Sequence, residues 1–114
     1  MPIDYSRQFG KKIMTKGDKK RFINIESIVY IRREGYLTTL YLNTGVKVYE
    51  IKSLKEFDKE LFGMGFFRIH KNTIVNGRYI TEIGSMGKQK KVKLGEIELI
   101  VSKRRLKSFK DWIL

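Results

Sequence analysis

The chain has 114 residues, the length of one domain, and its 41% hydrophobic content suffices for a single core. Its 25 Lys and Arg against 12 Asp and Glu leave a net charge of +13, which points to a polyanion: nucleic acid first, an anionic membrane surface second. The absence of cysteine excludes a disulfide framework and a thiolate metal site, and no apolar run reaches the roughly 18 residues of a membrane span.

The N-terminus lacks the apolar core of a signal peptide, so a cytoplasmic location is expected. Pro2 is the single proline, and no linker divides the chain. Residues 1–10 have no period and read as a tail or linker remnant; residues 11–114 read as one domain. Residues 11–14 and 21–25 flank a Gly17-Asp18 turn signal and predict a hairpin. It carries Lys11, Lys12, Lys16, Lys19, Lys20 and Arg21, which suit either a solvated edge or phosphate contacts.

Residues 28–31 predict a buried strand, broken by Arg32-Arg33-Glu34-Gly35. Residues 36–42 and 46–51 follow as strands around Asn43-Thr44-Gly45, completing a β-meander. Ser53 and Glu56 form a capping box for a helix over 54–62, whose Leu54, Phe57 and Leu61 make an apolar stripe. Gly63 and Gly65 stop it. Its exposed face, Lys55, Glu56, Asp58, Lys59 and Glu60 with Glu50 just ahead, has no positive excess, which argues against a recognition helix there.

Residues 66–76 place a basic tip, His70-Lys71-Asn72, between two apolar anchors: Phe66, Phe67 and Ile69 before it, Ile74 and Val75 after. A plain strand–turn–strand explains the spacing, and the basic context turns its tip toward an anion. Asn76, followed by Gly77, reads as a backbone-bonding turn residue. Residues 79–83 predict a strand, 84–87 a turn, and 90–94 a strand with Val92 and Leu94 inward. The next strand points Ile97, Leu99 and Val101 inward. Ser102 then opens a basic terminal helix with Leu106, Phe109 and Ile113 on one face. Its first turn, Lys103-Arg104-Arg105, has the wrong sign for its own dipole unless an anion sits there.

Together these elements predict a mainly β fold of short antiparallel sheets with two peripheral amphipathic helices. Enzyme signatures are absent: no HExxH, GxSxG, P-loop or Cys nucleophile, and a single His70 with no second ligand for a metal. The chain therefore reads as a non-enzyme without cofactor.

The blocks Phe22-Ile23-Asn24-Ile25-Glu26-Ser27-Ile28-Val29-Tyr30-Ile31, Ser53-Leu54-Lys55-Glu56-Phe57, Phe66-Phe67-Arg68-Ile69-His70-Lys71-Asn72-Thr73-Ile74-Val75-Asn76 and Ile100-Val101-Ser102-Lys103-Arg104-Arg105 follow one another in this order. In that order, covering most of residues 11–114, the chain resembles the LytTR family of bacterial DNA-binding domains.

The resemblance implies transcriptional regulation through double-stranded DNA, with bases read from loops in successive major grooves. It implies a receiver domain or sensor-kinase system upstream, and it leaves open a homodimer on repeated half-sites. No receiver precedes the domain in this chain, so either a stand-alone regulator or a piece of a longer one is expected. Carried over by position, the DNA-binding residues are Arg33 and Tyr36 in the first loop, His70, Lys71 and Asn72 in the second, and Lys103, Arg104 and Arg105 at the last corner. Tyr36 departs from the polar reader, such as His, that family members often carry there, and Lys71 differs from other members too.

Arg104 is the leading candidate for guanine readout, followed by Lys71 and Asn72. His70, Arg68, Lys103 and Arg105 suit phosphate contacts or hold the loop. The alternative is a small RNA-binding protein, for which Tyr36 and Tyr5 would supply stacking, although no RNP motif or GxxG loop is present. A third reading, partner or membrane binding through the terminal helix, rests on its amphipathic basic character.

Overall fold

Branched and aromatic residues recurring at alternate positions make half-buried strands, and cross-strand pairing gathers them into three antiparallel sheets. The computed structural model describes residues 12–16 and 19–113. β1 (Lys12–Met14) and β2 (Phe22–Asn24) form the expected hairpin, with Ile13 opposite Ile23. The Gly17-Asp18 turn, Lys11, Tyr5 and the 1–10 tail lie outside the described residues.

The central sheet has five strands: β3 (Ile28–Glu34), β4 (Leu37–Leu42), β5 (Lys47–Glu50), β6 (Phe66–His70) and β7 (Thr73–Asn76), in the order β5-β4-β3-β7-β6. A three-stranded meander follows: β8 (Glu82–Met86), β9 (Gln89–Leu94) and β10 (Ile97–Val101). The helices are α1 (Leu54–Glu60) and α2 (Lys103–Ile113). None is long and apolar enough to cross a membrane among the described residues.

Several boundaries shift by a residue or two from the sequence reading, the helix expected over 54–62 ending at Glu60, and three differ by more. β3 does not break at Arg32: Arg32, Arg33 and Glu34 pair with Thr39, Thr38 and Leu37. The chain turns only at Gly35, whose φ of 63° ahead of an ordinary Tyr36 is the pattern of a type II′ hairpin turn. Tyr79 belongs to a 3-10 turn (Gly77–Tyr79), because the buried Asn76 caps it by accepting from the Arg78 N–H at 3.1 Å. Gly84 and Ser85 are strand, paired with Lys91 and Lys90, so that turn moves to Gly87.

The central sheet separates two cores. One face packs Ile31, Leu40 and Ile74 against Ile13 and Ile23 of the hairpin and against Leu54, Phe57 and Leu61 of the α1 stripe. The other packs Tyr30, Ile69 and Val75 against Val92, Leu94, Leu99 and Val101 of the meander and Phe109 of α2. Ile97 is 40% exposed rather than inward, since it sits at the hairpin end beyond the meander's core. Trp112, not Ile113, completes the inner face of α2, and Ile113 is left 38% exposed.

Ser53 Oγ accepts the Glu56 N–H at 3.1 Å. Lys16, with the Ser53 backbone as a lesser contributor, holds the Glu56 carboxyl below its usual range. Glu50 is not on the exposed face: it is buried and accepts the Lys16 N–H at 3.1 Å. Lys52 is buried over the Phe57 ring and pairs with Glu60.

Candidate nucleic-acid interface

Antiparallel order fixes which loops share an end of the sheet. β3 and β6 both pair with β7, so the β3–β4 tip (Gly35-Tyr36) and the β6–β7 tip (Lys71-Asn72) emerge at the same end. Two long-range backbone hydrogen bonds then join three corners. The Arg33 N–H donates to the Asn72 carbonyl at 2.9 Å, and the Ser102 N–H donates to the Ile69 carbonyl at 2.9 Å. The first ties the β3–β4 tip to the β6–β7 tip. The second ties the start of α2 to β6, one residue before His70.

The β6–β7 tip is a two-residue turn without glycine or any positive φ, so it lacks the primed geometry that hairpins favour. Side chains hold it instead. The Arg68 guanidinium donates through Nη2 to the Lys71 carbonyl. The Asn72 N–H reaches His70 Nδ1 at 3.4 Å, which leaves the imidazole proton on Nε2 as a donor. Thr73 Oγ1 donates to Asn72 Oδ1 at 2.8 Å. A register shift between Arg68 and His70 accommodates the turn.

Arg68 is thus a loop-holding residue at the sheet, half-buried, with its pKa held below the ordinary value by burial first and the Arg105 charge second. Lys71, Lys103 and Arg104 are exposed, while His70, Asn72 and Arg105 are half-buried. Tyr36 is 93% exposed at its tip. Arg33 is exposed and folds back, Nε donating to the Gly35 carbonyl at 3.2 Å. The structure therefore places all nine candidates around three linked corners, with Arg68 half-buried behind the second tip.

Two residues at this end escaped the sequence reading. Arg32 lies over the Tyr30 ring at 6.0 Å and reaches Thr73 Oγ1 at 3.5 Å, bracing the second tip from below. Its signal was the alternation Tyr30, Arg32, which shows only when β3 is carried past Ile31. Glu34 accepts from the Tyr41 hydroxyl at 3.1 Å. Burial first, then Glu34, pushes the Tyr41 phenol up to about 12, so it keeps its proton and donates at neutral pH. Among the described residues no three His, Cys, Asp or Glu side chains gather as a metal site requires.

The last corner is rigid because α2 is anchored behind it. Phe109 packs edge-on against Phe67 of β6 at 5.7 Å, and Trp112 stacks on Phe67 at 5.1 Å. The profile of the LytTr DNA-binding domain matches residues 18–114. The chain belongs to the LytTR family. It is therefore a DNA-binding domain of the kind found in bacterial response regulators, which act in transcription regulation. A solved LytTr DNA-binding domain, assigned to a methyl-accepting/DNA response regulator of Bacillus cereus, superposes with a TM-score of 0.77 at 19% identity, covering 90% of this chain and 95% of that one. At that identity the LytTR match in structure speaks for the fold alone. No curated protein matches the chain.

Proposed function

We propose that this LytTR domain reads double-stranded DNA sequence-specifically, from its three linked loops, in successive major grooves. The pair of backbone hydrogen bonds Arg33–Asn72 and Ser102–Ile69 supports the reading most, because it holds donor-rich corners in a fixed mutual geometry. Arg104, exposed on the first turn of an anchored helix, is the guanine reader. Lys71 and the Asn72 amide are the next base contacts. Arg33, Lys103 and Arg105 neutralise phosphates, the His70 Nε2–H donates to one, and Tyr36 lies on the groove wall. A receiver domain supplies the input, and two copies occupy repeated half-sites.

The reading is tested by salt. Three cations on phosphates give a slope of log K against log salt of about −3, at roughly −0.9 per phosphate. A flat dependence on duplex DNA would overturn it. Structured RNA outcompeting duplex at equal salt would move the function to RNA.

The helix α1 is expected to face away from DNA. Two of its three acidic residues are already engaged, Glu56 by Lys16 at 2.8 Å and Glu60 by Lys52. Replacing both Lys55 and Lys59 with Gln should change duplex affinity by less than about tenfold, roughly 1.4 kcal/mol. A larger loss in a binding titration would put α1 in the interface.

A further inference from the structure

A groove of about 480 Å³ lies between the C-terminal end of α1 and the flank of α2. That volume falls within the range of small-molecule sites. Its floor is aromatic: Phe66, Phe67 and Trp112 line it, the last two stacked. Trp112 is fixed from behind by Gly77, where even a Cβ would come within 2.6 Å of the indole. One wall is the bend through Gly63 and Gly65, where no neighbouring atom fills the space a side chain would take. Phe62 stands at the rim, 85% exposed.

Arg68 and Arg105 open into the same groove. They are close enough for the Arg105 charge to oppose that of Arg68. Arg68 Nε is buried and has no hydrogen-bond partner among the described residues. A buried donor without an acceptor is costly, and two facing guanidiniums repel, so an anion here relieves both. Asp58 of α1 also lines the groove and offsets one of the two cations, leaving a net positive site.

We propose that this groove binds a small planar aromatic carboxylate, its ring between Phe62 and Trp112 and its carboxylate on Arg68 and Arg105. The fork geometry of guanidinium suits a carboxylate, and the aromatic floor selects a ring over a bare inorganic anion. Arg105 also belongs to the DNA-contacting corner. An occupied groove therefore weakens duplex binding, and this second clause rests on the DNA reading above.

Trp112 is the only tryptophan of the chain, so its indole N–H gives a single signal in a nitrogen–proton correlation spectrum. The full chain is titrated with naphthoate, with neutral naphthylmethanol, and with inorganic phosphate. Naphthoate should shift the indole signal saturably, and more tightly than the alcohol. Arg105→Gln should weaken naphthoate by about tenfold, the worth of one charge-assisted contact, while leaving the alcohol unchanged. Phe62→Ser, at an exposed position that the fold does not need, should weaken both; Asp58→Asn should tighten naphthoate. No saturable shift at millimolar naphthoate, equal affinity for acid and alcohol, or phosphate reproducing the effect would overturn the site. Unchanged duplex affinity at saturating naphthoate would overturn the competition. Failure of the free chain to bind duplex at all would count against the DNA reading, while the indole titration still decides the site.

Discussion

Phe109→Ala is expected to cost about 3–5 kcal/mol of folding stability, the range for truncating a buried Phe. Phe109 is 2% exposed and sits where α2, β6 and the meander meet, among Ile69, Val75, Val92 and Leu99. The strands around the void are held by their ladders, so the cavity has little room to collapse. A small domain has only about 5–15 kcal/mol to lose, so thermal denaturation should show a large fall in Tm. The loss should also be functional. With Phe109 gone, the Phe67 edge contact that seats α2 disappears, and Lys103-Arg104-Arg105 lose their rigid base. Duplex affinity measured well below the lowered Tm should still be weaker than that of the parent chain. A stability loss under about 1 kcal/mol would mean that α2 is dispensable to the core.

Elements with strong local signals were legible in the sequence. The Leu54–Phe57–Leu61 stripe, its Ser53 cap, the alternation at Val92 and Leu94, and the anchors around Lys71-Asn72 are each set by neighbours within one turn or one hairpin. What escaped depends on partners distant in sequence. Arg32-Arg33-Glu34 looks like a break because charged residues rarely sit in a buried strand. The strand continues because Arg32 and Arg33 pair with the buried Thr39 and Thr38 of β4 while the Arg33 and Glu34 side chains reach solvent. Glu50 looked exposed because nothing local reveals that the Lys16 backbone, 34 residues away, will cover it. Trp112 replaced Ile113 on the inner face because Phe67 offers a ring to stack on, which helical spacing alone does not show.

The candidate site divides in the same way. Its residue types were legible, since basic and amide side chains at loop positions announce themselves. Its assembly was not. The Arg33–Asn72 and Ser102–Ile69 bonds are made by backbone groups, which every residue carries, so no sequence pattern marks them. The role of Arg68 was equally hidden: only the absence of a left-handed residue at the Lys71-Asn72 turn explains why a guanidinium must hold it.

Arg104→Ala and Lys103→Ala should part company, although the two residues are adjacent and both exposed. Consecutive residues on a helix point about 100° apart, so a helix whose N-terminus faces DNA presents one toward the groove and the other toward the backbone. Arg104 has the planar fork that pairs with guanine O6 and N7; its loss should cost about 1–3 kcal/mol on the best site and flatten preference at one base position. Lys103 presents a compact ammonium suited to phosphate. Its loss should weaken all sequences alike and reduce the salt slope by about one unit. The helix itself should tolerate either change, because alanine is the best helix former and neither side chain is buried. The measurement is a titration of each variant against a site selected from random duplexes and against every single-base change in it. If Arg104→Ala weakened every duplex by one common factor, Arg104 would be a backbone contact. Base reading would then pass to Lys71 and to Asn72, whose Oδ1 already accepts from Thr73 and still has a lone pair to offer adenine.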